Sequence, residues 1–109
     1  VNWFRRNRDG GFAWPGFGEN SRVLKWVVGR LEGTADAAET PVGYVPTADA
    51  LDLSGLDLSA ADLEDALRVD IGEWKDEVAS IEEWFARFGA SLPASIAGQL
   101  DGLRQRVNG

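Results

Sequence analysis

The chain has neither cysteine nor histidine among its 109 residues. That excludes a disulfide framework, a thiol nucleophile, an imidazole base and any Cys/His zinc site. The components of a Ser-His-Asp triad are missing with them. No apolar run approaches the roughly 20 residues needed to span a membrane, and the N-terminus lacks the basic-then-apolar pattern of a secretory signal. The sequence therefore reads as cytoplasmic, with no membrane partner. There is no internal repeat, no low-complexity segment, and no glycine-rich loop running into Lys-Ser or Lys-Thr that would cradle phosphates. A calcium loop among the aspartates of residues 48–58 fails on spacing, because the central Gly and the terminal bidentate Glu are not in place.

What remains is globular. Hydrophobic residues make up 44% and charged residues 27%, a balance that supports a modest core and one domain at most. The net charge of −7 argues against nucleic acid as a partner. Its distribution says more. Residues 1–30 carry Arg5, Arg6, Arg8, Arg22, Lys25 and Arg30 against only Asp9 and Glu19, whereas the other acidic side chains all lie further along. Only the N-terminal end has a field that would welcome phosphate; the acidic remainder reads as solvated helix faces. Val1 opens directly on an apolar segment, so the chain is expected to be a piece of a longer protein.

The most unusual chemistry lies in Phe12-Ala13-Trp14-Pro15-Gly16-Phe17-Gly18-Glu19-Asn20-Ser21-Arg22. Proline and two glycines force the backbone out of regular structure while three large rings are presented from it. Asn20 and Ser21 are good N-caps for a following helix. Val23, Leu24, Val27, Val28 and Leu31 have helical spacing, and Gly33 is its stop. Open N–H groups at a helix start beside an aromatic turn suit a flat ligand with hydrogen-bonding edges, such as a nucleotide base. The same rings would equally serve as plain anchors into a core.

Around this turn, Val1–Arg5 and Phe12–Trp14 are expected to form a β-hairpin about the Asp9-Gly10 turn signal. Phe4 and Phe12 would share a face and Phe17 would close over it. Residues 33–41 read as a surface loop, 42–46 as a short extended piece bounded by prolines, and 48–58 as a wrapped connection. The rest is helical. Ser59 with Asp62 and Asp70 with Glu73 are capping-box pairs. The second opens the longest periodic run, Ile71, Trp74, Val78, Ile81, Phe85 and Phe88, which Gly89 ends. Ser91 and Pro93 open a last helix with Ile96, Leu100, Leu103 and Val107 on one face. The expected class is α+β: an N-terminal β-hairpin and glycine-rich turn, then a mainly helical bundle of about four helices.

Asn2-Trp3-Phe4-Arg5, the run from Phe12 to Trp26, and Thr40-Pro41-Val42-Gly43-Tyr44-Val45-Pro46 together resemble the C-terminal part of the GTP-dependent phosphoenolpyruvate carboxykinases. The similarity is strong over residues 2–46 and looser to the closing Leu103–Val107. The resemblance implies a single C-terminal subdomain over residues 1–109, with 1–46 binding the base and 59–109 forming the helical part. It also implies a guanine base held between Phe4 and Phe17 with Phe12 completing the pocket. Asn20 would sit at the guanine edge, beside the backbone of Phe17-Gly18-Glu19. Glu19 has a second role open to it, complementing the helix dipole. ATP-dependent enzymes of the same activity are not similar in this cage, so the implied nucleotide is GTP or GDP.

The family's reaction converts oxaloacetate and GTP to phosphoenolpyruvate, carbon dioxide and GDP, a step of gluconeogenesis assisted by manganese and magnesium. Phosphoryl transfer needs a phosphate cradle, a lysine and metal ligands, and this sequence supplies no such set. The implied partners are a guanine nucleotide and the remaining domains of a parent enzyme, and this piece is expected to be inactive alone. The rival readings are a small interaction module docking a proline-rich or helical partner through the aromatic turn, and a structural cap on a larger enzyme.

Overall fold

In the computed structural model, which describes residues 1–109, the helices are α1 (Asn20–Glu32), α2 (Ala60–Leu67), α3 (Ile71–Ala86) and α4 (Ala94–Asn108). A two-stranded antiparallel hairpin, β1 (Ala37–Thr40) and β2 (Gly43–Pro46), stands between α1 and α2. The class is thus α+β and mainly helical, as the sequence predicts. The chain divides into two compact units, Val1–Glu39 with Tyr44–Arg68, and Thr40–Gly43 with Val69–Gly109.

The first unit buries Ala13, Trp14 and Leu51. α1 stops where expected: Gly33 adopts φ 76° and its N–H returns to the helix carbonyls, the left-handed ending that glycine allows. The chain then folds back so tightly that a Cβ on Gly29 would come within 2.9 Å of the Ala35 Cβ. α2 is opened by Ser59, whose Oγ accepts the Asp62 N–H at 3.0 Å and donates to the Asp62 carboxylate.

The second unit is α3 against α4. Val78, Leu100 and Val107 form the buried centre, with Ile71, Trp74, Ile81, Phe85, Leu103 and the Val42 side chain packed round it. The 3-4 spacing along α3 therefore marks the seam. Asp70 caps α3 by accepting the Glu73 N–H at 3.1 Å. Phe88 and Ile96 depart from the expected stripe. Both are exposed, and Phe88 packs edge-on against Trp84 instead.

Three local expectations change. The N-terminal hairpin shrinks to one antiparallel bridge, Arg6 with Phe12. Asn7 folds the loop onto itself, its Oδ1 accepting the N–H groups of Asp9 and Gly11. At the other end the Asn2 side chain accepts the Phe4 N–H, so residues 3–4 turn rather than extend. Residues 37–40, read as loop, form β1. Their composition carries no strand preference, and the hairpin is set by its tip, where Gly43 takes φ 121° and the Thr40 hydroxyl donates to the Gly43 carbonyl at 2.7 Å. Finally, α4 begins after Pro93, which has no capping side chain, while Ser91 lies in a 3-10 turn, Gly89–Ser91.

Candidate functional site

The aromatic turn enters α1 through Gly16, whose φ of 124° is a conformation that a Cβ disfavours. A 3-10 turn, Phe17–Glu19, follows and consumes N–H groups expected to be open. That of Glu19 donates to the Gly16 carbonyl at 3.0 Å, and that of Asn20 donates to the Phe17 carbonyl. Glu19, not Asn20 or Ser21, holds the cap position, and it makes no side-chain cap bond. Its carboxylate instead accepts the Arg22 Nε–H at 2.6 Å. Asn20 is the first helical residue. Its Oδ1 accepts the Trp14 indole N–H at 2.8 Å.

The rings of this segment divide into two sets. Ala13 and Trp14 are buried, and the Trp3 ring lies 6.5 Å from that of Trp14 at a 45° tilt. Phe4, Phe12 and Phe17 are 74%, 53% and 90% exposed. Anchoring is therefore done by Trp14, and the fold leaves the three phenylalanines to solvent. Phe4 and Phe12 meet edge to face at 6.2 Å, so they do share a face. Phe17 makes no ring contact with either, and the expected closure of its ring over that pair is not made within this chain. Gly18 has an ordinary φ, and a Cβ there would meet nothing within 4 Å. Neither backbone strain nor packing accounts for a glycine at that position.

The basic side chains near the turn are largely committed to holding the fold. Arg8 grips Asp65 through Nε and a terminal nitrogen at 3.1 and 2.9 Å, and its backbone N–H donates to the same carboxylate. This pairing holds the buried Asp65 carboxyl below its ordinary pKa, chiefly through the Arg8 side-chain hydrogen bond. Arg22 donates to the carbonyls of Asp52 and Ser54 as well as to Glu19, and Arg5 donates to the Arg68 carbonyl. Arg6 lies over the Phe12 ring at 4.1 Å, a cation–π contact that leaves its charge at the aromatic face. Arg6 also donates to a backbone carbonyl, that of Gly10 at 3.2 Å, so all four of the arginines expected to attract phosphate, Arg5, Arg6, Arg8 and Arg22, are engaged within the fold.

A groove of about 540 Å³ elsewhere in the first unit is lined by Arg22, Lys25, Trp26, Asp49 and Asp52 among others. Both of its cations are engaged, Lys25 with Asp52 at 2.6 Å and Arg22 with Glu19 and the carbonyls of Asp52 and Ser54.

Sequence reasoning placed Phe4, Phe12, Phe17, Gly18, Glu19 and Asn20 together. It missed that Trp14 holds Asn20, for which the only signal was an indole six positions before an amide across a forced turn. It also missed Arg6 over Phe12. No helix is long and apolar enough to cross a membrane.

Comparison with known proteins matches residues 1–106 to the family described as the phosphoenolpyruvate carboxykinase C-terminal P-loop domain. Among similar proteins, those named phosphoenolpyruvate carboxykinase (GTP) from Paenarthrobacter aurescens strain TC1 and Arthrobacter sp. strain FB24 are 64% and 63% identical over 107 residues. One of that name from Neocallimastix frontalis is 51% identical over 108 residues. In each case the match covers 98% of this chain and 18% of the relative. With nearly its whole length matched, the chain belongs to the phosphoenolpyruvate carboxykinase C-terminal P-loop domain family.

Proposed function

We propose that this chain is the guanine-recognising subdomain of a larger, cytoplasmic, GTP-dependent phosphoenolpyruvate carboxykinase of gluconeogenesis, and that it is not catalytic by itself. The observation that carries the reading is the division of rings in the aromatic turn. Phe4, Phe12 and Phe17 stand exposed, and Asn20, three residues after Phe17, has its amide orientation set by the bond its oxygen accepts from the Trp14 indole. Stacking on such rings contributes roughly 1–3 kcal/mol per base and discriminates little between bases. Selectivity then falls to the edge. With the Glu19 and Asn20 backbone N–H groups used in the turn, the Asn20 Nδ2 donor is the group suited to guanine O6. The bare backbone at Gly18 leaves room for the base beside it.

In the parent enzyme, oxaloacetate and GTP would give phosphoenolpyruvate, carbon dioxide and GDP. This chain gathers no group of three metal-ligating side chains, so the manganese and magnesium that assist phosphoryl transfer would be held by other parts of the parent. Its own task is to fix the base and so place the nucleotide in register for chemistry done elsewhere.

Phe17→Ala in the parent enzyme tests this directly. The KM for GTP should rise about tenfold or more while the KM for oxaloacetate stays within twofold, because only base binding is touched. Equal rises for both substrates would refute the assignment.

A further inference from the structure

We propose that Trp14 is a specificity-determining positioning residue that acts against adenine. An asparagine amide offers an acceptor on one side and donors on the other, and in isolation it turns to suit either kind of partner. Indole N–H is a donor only. The 2.8 Å bond from Trp14 Nε1 to Asn20 Oδ1 therefore fixes which way the amide faces, with its oxygen toward the indole and Nδ2–H₂ turned to the opposite side. Trp14 is well placed to impose this. It is only 6% exposed, wedged beside Trp3, and Asn20 is held in the first turn of α1, so neither partner is free to swing away.

The consequence rests on the reading above, in which Asn20 meets the base edge. A fixed donor accepts guanine O6. Adenine presents an amino group at the same place, so donor would face donor. Turning the amide to accept from adenine would set Nδ2–H₂ against the indole N–H and leave a buried donor unpaired. Selectivity built in this way works by penalising the wrong base.

The prediction that follows is asymmetric. Without the indole N–H, the amide turns freely. GTP then loses only a factor of about two, because it must select one of two equal orientations, whereas ATP is relieved of the penalty and gains about tenfold. The experiment is a comparison of kcat/KM for GTP and ATP in the full-length parent enzyme, for wild type and Trp14→Phe. Replacement of Trp14 by benzothienylalanine, which keeps the bicyclic ring and lacks the N–H, covers the case in which the phenylalanine variant fails to fold. The expected result is a rise for ATP with GTP nearly preserved and the KM for oxaloacetate unchanged. A fall for both nucleotides, or an unchanged ratio, would overturn the proposal, since a packing role alone predicts loss without gain. Phe17→Ala is measured alongside. If it weakens GTP use while the Trp14 variants keep the GTP-to-ATP ratio, this inference fails and the guanine-site reading stands. If Phe17→Ala and Asn20→Ala both leave nucleotide kinetics untouched, the site reading itself fails and this inference falls with it.

Discussion

Gly16 and Gly18 lie two positions apart and differ in why they are glycine. Gly16 is required by its own backbone, at φ 124°, and any side chain there strains the turn. Gly18 has no such need and open space where a Cβ would be. Gly18→Ala should therefore leave stability within about 0.5 kcal/mol while raising the KM for GTP several-fold in the parent enzyme. Thermal melting together with nucleotide kinetics checks both halves. Unchanged GTP kinetics would remove Gly18 from the site. At this scale the sequence made residue types legible and their pairings much less so. The rings and Asn20 could be picked out because rare types cluster in a forced turn. That Trp14 takes the Asn20 oxygen and Arg22 takes Glu19 depends on where side chains meet in three dimensions, which local spacing does not state.

Among the elements, those governed by local physics were readable and those governed by pairing were not. Ser59 with Asp62 and Asp70 with Glu73 cap their helices as a three-residue spacing dictates, and Gly33 ends α1. The α3 stripe followed from period alone. By contrast, Ala37–Thr40 has no strand-forming composition and becomes β1 only because a tip held by Thr40 and Gly43 sets it against β2. The aromatic N-terminal stretch has strand-like composition, yet Asn2 and Asn7 draw its backbone into turns. The α3–α4 seam yields its own prediction. Trp74 is half-buried and packs against the Val78, Leu100 and Val107 centre. Trp74→Ala should cost about 3 kcal/mol, the low end for a large aromatic removed from a core, as read from denaturant midpoints. A midpoint unchanged from wild type would show that the seam does not depend on it.

For the whole molecule, the proposed guanine site together with the charge pattern predicts weak, base-centred binding. The net charge is −7, and Arg8 and Arg22 are spent on carboxylates and carbonyls within the fold, so phosphate gains little here. Stacking at roughly 1–3 kcal/mol per base must offset a loss of translational and rotational freedom of about 4 kcal/mol or more. Affinity for guanosine should fall near the millimolar range, about −4 kcal/mol, and guanosine should bind almost as well as GTP. The chain spans 18% of the length of the relatives it matches. The most direct test of guanine recognition by the aromatic turn is a titration of the isotopically labelled 109-residue chain with guanosine, followed by amide and indole shifts in its NMR spectrum. The predicted result is a millimolar midpoint with shifts concentrated on Gly16–Asn20, Phe4, Phe12 and the Trp14 indole N–H, and much smaller shifts with adenosine. Shifts centred on α3 and α4, equal responses to both nucleosides, or micromolar GTP binding that vanishes when the phosphates are removed would contradict it.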